Sequence, residues 1–395
     1  MNFATKYRNE LGLLAAIFGV IVFTLFFDQA YIEQPALNIT NILHQASLLG
    51  IFSLGAAIVI IAGGIDLSSG SVIVFSGSVC GLVMMAFGPP TEMGAPDTTD
   101  LGWGAISVAL AAAIVAGVLI GTLHTWLITV IKLPPFVATL ASLVGLRSFC
   151  KVLNPAVSNA LGSEATVVHT DSVQFEHLSQ WWVALLVFLT LSAICYVLMN
   201  HTVWGRHIYA LGGNEEAATL SGIRTDRIKW LAYSIGGVTA SIAGILYLAK
   251  TGSANPSTTG MGYELNAIAA AVVGGCSLRG GVGLIPGVML GVLFLRIVID
   301  SINKVVPKGS DDYQGMIVGF LVVLAVAVNE LRRHGSGQRE KFFAGALGLF
   351  VIPILATLVG AVIFVMLDLQ AGFIAFASVF GLLGALKIAG HRKSS

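Results

Sequence analysis

The stretch GAISVALAAAIVAGVLIGTLHTWLITVI at residues 104–131 contains no aspartate, glutamate, lysine or arginine. A helix that crosses a lipid bilayer needs about 20 mostly apolar residues, and this run exceeds that length. Its apolar residues are continuous, whereas a strand of a membrane barrel would alternate apolar and polar residues. The stretch therefore predicts a membrane-spanning α-helix.

Ten further apolar runs predict the same kind of helix. They lie at residues 11–28, 44–62, 72–87, 135–153, 181–200, 230–249, 283–303, 313–330, 342–367 and 372–388. The first run is followed by no small-x-small cleavage site, so we interpret it as a retained span rather than a signal peptide. A shorter run, Leu265–Leu278, is ambiguous by length. The sequence predicts an all-α polytopic transmembrane helical bundle, with about ten core spans and two extra C-terminal spans.

Composition supports a membrane domain and excludes other classes of protein. Of the 395 residues, 56% are hydrophobic and 10% are charged, against about 25% charged residues in soluble domains. The net charge of +1 gives no basic patch of the kind that binds nucleic acid. The four cysteines form no Cys-x-x-Cys pair. We therefore expect buried thiols, and neither a disulfide framework nor a zinc site.

The distribution of basic residues predicts the orientation, because lysine and arginine accumulate in cytoplasmic loops. With the N-terminus inside and Leu265–Leu278 counted as a crossing, 15 basic loop residues fall inside and 3 fall outside. If that run did not cross, the basic loop Arg332–Lys341 would move outside and the bias would fail. We therefore expect two crossings within residues 255–303, one of them short or broken, and both termini in the cytoplasm.

The predicted organisation is a membrane domain with short connections. Residues 1–335 form the core, residues 336–341 a basic cytoplasmic linker, and residues 342–395 two additional helices with a short basic tail. The sequence contains no phosphate-binding loop, no His-Glu-x-x-His and no Gly-x-Ser-x-Gly. No catalytic residue or metal ligand is therefore predicted, and we do not expect this chain to hydrolyse ATP itself.

A polar segment, GGIDLSSGS at residues 63–71, separates the second and third apolar runs. A carboxylate beside hydroxyls at a broken helix is tolerated in a membrane where it lines a cavity, so one interpretation is a polar break beside a transport path. The other is an ordinary turn in which Asp66 caps the next helix. The residues alone leave both open.

A second glycine-rich segment, GGCSLRGGVG at residues 274–283, echoes the first as Gly-Gly-x-x-Leu. The echo suggests two related halves, as in many transporters. Glycines at 283, 287 and 291 recur every four residues, a spacing most simply explained by tight helix packing.

A third segment, residues 204–223, lies in a predicted cytoplasmic loop. Asn214 is placed to cap a short helix, with Glu215 and Glu216 in its first turn and Gly222 after its end. Such a helix suits docking against a soluble partner; the alternative is an interfacial linker helix.

Four charged residues lie within predicted spans near their outer ends. Arg296 and Asp300 are four residues apart, as are Arg147 and Lys151. Residues with this spacing share one face of a helix. Ionisable residues inside spans are functional candidates, but we favour the interpretation that each pair extends together to the membrane surface.

Together the segments resemble the membrane-spanning permease subunits of bacterial monosaccharide ABC importers of the ribose, xylose and galactose type. The resemblance runs in family order over about residues 10–335. It rests on residues 63–71, 133–140, 209–223, 262–281 and 314–328. It implies a multi-pass protein of the bacterial inner membrane in which two permeases, this chain with a second copy or a paralogue, contact lipid. The other implied partners are two cytoplasmic ATPase subunits and an extracytoplasmic sugar-binding protein.

The resemblance also implies roles for particular residues. Contact with the ATPase subunit falls on Gly212, Gly213, Asn214, Glu215, Glu216, Ala217 and Gly222. Residues expected to line the translocation path are Asp66, Ser68, Pro135, Phe136, Asn255, Glu264 and Asn266. No cofactor is expected on this chain, because ATP and Mg²⁺ would bind the partner ATPase.

Two departures from the family pattern stand out. Residues 342–388 add two spans beyond the usual end, and residues 300–304 replace a usual Asn-Gly-Leu pattern with DSINK. The alternative function is an ion-coupled secondary transporter of a small polar solute, for which Asp66 is the one plausible midplane carboxylate. The sequence names no particular sugar.

Overall fold

The computed structural model describes residues 8–27, 33–91, 94–305, 310–333, 351–357, 360, 364 and 369–392. These residues are overwhelmingly helical, as the apolar runs predict. The helices are α1 Arg8–Phe27, α2 Pro35–Ile61, α3 Ser69–Phe87, α4 Trp103–Thr129, α5 Pro135–Ala160, α6 Val173–Glu176, α7 Trp181–His201, α8 Val203–Gly213, α9 Glu215–Leu220, α10 Thr225–Thr251, α11 Tyr263–Val273, α12 Ile285–Val305, α13 Ser310–Arg333 and α14 Leu369–Arg392.

The predicted spans are confirmed as helices, with differences at their ends. Among the described residues, seven helices are long and apolar enough to cross a membrane, namely α2, α3, α4, α5, α7, α10 and α12. Helix α2 begins at Pro35, nine residues before the predicted run, because proline is well suited to a first helical turn. Helix α5 continues through Pro155 to Ala160. Residues 351–357 of the predicted run 342–367 are helical, and much of that run lies outside the described residues.

Helices α2 and α10 form the centre of the first compact unit, Met1–Val326. Residues 46–62 are buried without interruption, so α2 is surrounded by protein on all sides from Ala46 to its end. The two helices approach closely where Gly55 faces Gly236, and α4 approaches α10 where Gly117 faces Gly237. Small residues at such crossings bring the backbones close enough for dense packing.

Helices α5 and α7 lie at the rim of this unit and expose most of their apolar surface. Helix α1 packs against α12, where Thr24 donates a hydrogen bond of 2.7 Å to Ser301. All four cysteines are buried and free, which confirms the expectation of buried thiols.

One short antiparallel strand pair occurs among the described residues. Strand β1, Val168–His169, pairs with β2, Ser253–Ala254, in the register Val168 to Ala254. The pairing ties the connection between α5 and α7 to the C-terminal end of α10.

The second compact unit is Ala327–Ser395. Within it Gly360 packs against Gly372, and a Cβ on Gly360 would lie 2.8 Å from the Cβ of Phe376. The rings of Phe376 and Phe380 stack along α14 at 5.8 Å.

Candidate functional site

The segment 202–223 folds as two short capped helices. Thr202 Oγ1 accepts a hydrogen bond of 3.1 Å from the Gly205 amide at the start of α8. Asn214 then separates α8 from α9, and its Oδ1 accepts from the Ala217 amide at 2.9 Å. Glycine 222 has φ +83° and follows the end of α9. The predicted cap, acidic first turn and glycine stop are therefore all confirmed.

Helix α9 presents an exposed outer face. Leu220 is 90% exposed, whereas Ala218, two residues earlier, is buried. Glu216 is exposed. Glu215 forms an ion pair with Lys229 on α10, with 2.6 Å between Glu215 Oε1 and Lys229 Nζ. Of the two predicted contact carboxylates, one is thus already paired within the chain.

Glycines from three segments of the chain pack against one another near the start of α9. A Cβ on Gly212 would collide with the Ile61 carbonyl oxygen and lie 2.5 Å from the Gly281 nitrogen. Gly281, with φ +71°, donates to Ile61 O at 2.8 Å. Gly63 and Gly280, both with φ +85°, pack against Gly212. The end of α2 and the turn before α12 therefore meet the end of α8 through bare backbone, and we call this end of the bundle the α9 end.

Tyr209 adds a side-chain bond to this junction. Its hydroxyl donates to the Gly283 carbonyl oxygen at 2.8 Å. Partial burial raises the pKa of the Tyr209 hydroxyl, so it remains a donor at neutral pH.

The two echoing segments form the same turn, with a shift of one residue from the sequence echo. At the end of α2, Gly63 N bonds Ile60 O and Gly64 N bonds Val59 O, each at 2.9 Å. At the end of α11, Gly275 and Cys276 make the equivalent bonds, and Gly275 has φ +96°. Both are glycine-terminated Schellman motifs. The structure thus matches Gly63 with Gly275, where the sequence echo matches it with Gly274.

Asp66 forms a local turn just before α3 rather than capping that helix, because the N-cap of α3 is Ser68 and no side chain makes a cap hydrogen bond there. Its Oδ1 accepts hydrogen bonds from the Ser68 amide at 2.8 Å and the Ser68 hydroxyl at 2.6 Å, just before α3. The carboxylate nevertheless lies inside the bundle, because Asp66 is 4% exposed and Ser68 is fully buried. His124 and Tyr233 each lie close enough to this carboxylate to interact with it electrostatically. The ring centroids of His124 and Tyr233 are 6.1 Å apart. The predicted cap is therefore wrong, and Asp66 instead holds a local turn through Ser68 in a buried polar setting.

Residues 255–262 form a second break, partly exposed, before the short helix α11. Asn255 Oδ1 accepts from the Ser257 amide at 2.9 Å. Arg147 Nη1 of α5 donates to the carbonyl oxygens of Pro256 at 2.8 Å and Thr259 at 3.0 Å. The interpretation of Arg147 as a side chain that extends to the membrane surface is therefore wrong, since the guanidinium binds carbonyls that have no helical partner.

The two breaks touch each other. A Cβ on Gly70 would collide with the Gly260 carbonyl oxygen, and one on Gly260, at φ +70°, would lie 3.4 Å from Gly70 Cα. Glu264 is 8% exposed, lies beside Gly70 and interacts electrostatically with Arg147. Because 255–262 reaches the first turn of α3, α11 needs only eleven residues, in agreement with the expected short or broken crossing.

Pro135 and Phe136 stand apart from these breaks. Both lie in the first turn of α5, where Phe136 is 48% exposed. Thr139, one turn further on, donates to the Ile65 carbonyl oxygen at 3.1 Å. Helix α5 therefore contacts the first break through Thr139.

A cavity of about 710 Å³ lies toward the opposite end, where α2 and α13 begin and α10 and α12 end. Its aromatic wall consists of Phe52, Tyr247 and Tyr263. Its polar lining consists of Gln45, Asn266, Arg296 and Gln314. Asn266, which the sequence predicts to line the translocation path, thus lies in the cavity wall.

Sequence reasoning missed the other polar and aromatic lining residues. Arg296 lines the cavity rather than extending to the surface with Asp300, and its Nε is buried without a hydrogen-bond partner among the described residues. A signal was available in Gln45 and Gln314, because amide side chains in predicted spans are costly unless they face protein or a cavity. Within the described ranges, no three His, Cys, Asp or Glu residues are grouped so as to hold a metal ion.

Comparison with known proteins shows that the chain is similar to membrane permeases. A family model described as branched-chain amino acid transport system / permease component matches residues 38–326. The ribose import permease protein of Escherichia coli strain K12 is 35% identical over 310 residues, 75% of this chain and 86% of that protein. The corresponding protein of Bacillus subtilis strain 168 is 31% identical over 81% of this chain and 92% of its own length.

A galactose/methyl galactoside import permease protein of E. coli K12 is 29% identical over 82% of this chain and 95% of that protein. No solved structure matches the chain.

Proposed function

This chain belongs to the family of the branched-chain amino acid transport system permease component, and from that membership we propose that it is the permease subunit of an ATP-driven ABC importer for a monosaccharide. Similarity to permeases named for ribose and galactose import supports a sugar as substrate. The chain would lie in the bacterial inner membrane and pair with a second copy or a paralogue.

The observation that carries the coupling role is the exposed α9 at one end of the bundle. Leu220 stands out from this helix with almost its whole surface in solvent, and large exposed apolar residues commonly mark interaction sites. We assign this face to a cytoplasmic ATPase subunit, where ATP and Mg²⁺ would bind. Glu216 would face the partner directly, and Glu215 would hold the orientation of α9 through Lys229.

The contacts beneath α9 offer a route for coupling. Gly212, at the end of α8, packs on Ile61 and Gly281 without intervening side chains. A displacement of α8 and α9 therefore pushes directly on α2 and on the turn before α12. Since packed helices shift as rigid elements, ATP-driven movement at α9 would change the arrangement of helices around the two breaks and re-gate the path.

The opposite end would receive sugar from an extracytoplasmic binding protein. The segments 63–71 and 255–264 supply polar groups that a polar solute needs inside a membrane. Asp66, Ser68 and Glu264 are buried, and Asn255 is partly buried. Phe136 and Pro135 lie on the exposed face of α5 and would contribute to the path only through the second permease.

The test is ATPase activity of the complex reconstituted with its ATPase subunit and sugar-loaded binding protein. We expect Leu220→Asp and Glu216→Arg to abolish stimulation by the binding protein, whereas Leu220→Met, which retains an apolar side chain, keeps it. Full stimulation in Leu220→Asp would exclude α9 as the contact. Failure of any ATPase subunit to associate, combined with uptake driven by an ion gradient alone, would support the alternative, a secondary transporter.

A further inference from the structure

We propose that the cavity between α2, α10, α11, α12 and α13 is a binding subsite for one monosaccharide ring. This rests on the proposed function, because it places the imported sugar at a defined position on the membrane subunit. It also goes further, since it assigns part of the recognition of the sugar to the permease itself.

The size and position of the cavity suit a small ligand. Its volume of about 710 Å³ lies within the range of about 300–1,000 Å³ found for small-molecule sites. It lies toward the end of the bundle remote from α9, which is the end where a binding protein would release its sugar. Asn266 places it directly beside the break at 255–262.

One wall of the cavity is aromatic. The rings of Phe52 and Tyr263 are parallel within 6°, with centroids 5.8 Å apart. Tyr247 packs on Tyr263 at 5.1 Å with a tilt of 41°. Phe52 and Tyr247 are almost fully buried, so Tyr263 offers most of the accessible aromatic surface. The C–H face of a sugar ring packs well against such a rigid apolar surface.

The remaining lining combines four hydrogen-bonding side chains with three glycines and six aliphatic residues, namely Leu49, Met261, Leu265, Ile299, Val318 and Val322. The amides of Gln45, Asn266 and Gln314 each offer two donor hydrogens and an acceptor oxygen, and Arg296 offers donors. Sugar hydroxyls donate and accept at once, so they satisfy both kinds of group. An acyl chain would offer these four side chains no hydrogen bond, whereas sugar hydroxyls would. The lining therefore favours a polyhydroxylated ligand over a lipid tail.

The charge of the lining favours a neutral sugar. Arg296 is the one charged residue in the cavity wall as the structure describes it. Asp300, one turn further along α12, interacts with it electrostatically and offsets its charge. A sugar phosphate or sugar acid would have to compete with this carboxylate for the guanidinium.

Direct binding to the purified full chain in lipid nanodiscs, without the binding protein, tests the proposal. Radiolabelled D-ribose, D-galactose and D-fructose are the probes, and Asn266→Leu and Gln45→Leu remove one amide each with little change in volume. We expect saturable binding of at least one sugar, weakened about tenfold by either variant through lost hydrogen bonds. Asn200→Leu, which changes an exposed amide on α7, should bind like wild type.

Three results would overturn the proposal. They are no saturable binding to the wild-type chain, equal binding by the cavity variants and wild type, and displacement of the sugar by an alkyl amphiphile such as dodecyldimethylamine oxide. Thermal melting of each variant separates lost binding from lost fold. ATP-driven uptake by the reconstituted complex without any direct binding would remove the cavity subsite alone, whereas absence of both ATPase association and uptake would remove the proposed function.

Discussion

The amide nitrogen of Gly281 donates a hydrogen bond of 2.8 Å to the carbonyl oxygen of Ile61, 220 residues earlier in the chain. Ile61 is the last residue of α2, and its carbonyl lacks a partner within the helix. Gly281 supplies that partner from the turn before α12, and Gly212 packs over the bond. One backbone contact therefore joins three separate parts of the chain at the α9 end.

Gly212 is the position where this junction is least tolerant of a side chain. In Gly212→Ala the new Cβ would collide with Ile61 O and Gly281 N, both of which are backbone atoms with little freedom to move. We expect a loss of about 1–3 kcal/mol of unfolding free energy, the usual cost of an overpacked site. Thermal melting of the detergent-purified protein measures it. The adjacent Gly213→Ala meets nothing within 4 Å and is the matched control; equal melting of the two variants would contradict the packing.

The crossing of α4 and α10 makes a second prediction. A Cβ on Gly117 would collide with Ser241 and lie 2.5 Å from the Gly237 carbonyl oxygen, whereas Gly145 on α5 has nothing within 4 Å. Gly117→Ala should lower the melting temperature. Gly145→Ala should leave it unchanged or raise it, because alanine in an unobstructed helix is about 0.5–1 kcal/mol better than glycine. A stabilised Gly117→Ala protein would show that the helices are further apart.

The ion pair between Lys229 and Glu215 should contribute little to global stability. Glu215 is half exposed, and exposed ion pairs typically contribute at most about 1 kcal/mol. We expect Lys229→Met to leave melting nearly unchanged and to speed hydrogen exchange in α9. The reversed pair, Glu215→Lys with Lys229→Glu, should restore protection at low salt. Unchanged exchange in Lys229→Met would mean that the pair does not order α9.

Arg147 should hold the segment 255–262 in place. Arg147→Met removes two hydrogen bonds from a charged donor, to Pro256 and Thr259, each worth about 1.5–3 kcal/mol. Hydrogen exchange and protease cleavage should increase selectively within that segment. Lys151→Met, one turn further along α5 and exposed, should change neither. Equal protection of the segment in both variants would contradict the role of Arg147.

Much of the fold could be predicted because it depends on short windows of sequence. The span 104–131 matches α4, Trp103–Thr129, since membrane insertion is governed by the length and continuity of an apolar run. The cap at Asn214 was also predictable, because the side-chain oxygen and the amide it accepts from lie three residues apart. The basic residues in the loops predicted that Leu265–Leu278 crosses the membrane, one of two crossings within residues 255–303. That crossing stays a prediction, and the structure shows the short helix α11 there.

The candidate site could be predicted only in part. Asp66 and Glu264 were singled out as buried polar residues, and the structure buries both. Arg147 and Arg296 were misinterpreted because their positions near helix ends suggested exposure to the membrane surface. Their partners come from distant segments, Pro256 and Thr259 for Arg147, and no local pattern indicates such a contact.

By itself the sequence determined the positions of the long apolar helices, the capped α9 and the family of the protein, because apolar length, side-chain caps and ordered motifs are local properties. The tertiary structure alone decided that the breaks at Gly70 and Gly260 touch, that Gly281 completes the end of α2, and that Phe52, Tyr247 and Tyr263 share one cavity wall. These contacts join residues far apart in the chain, and they depend on how closely glycine lets the helices and turns pack.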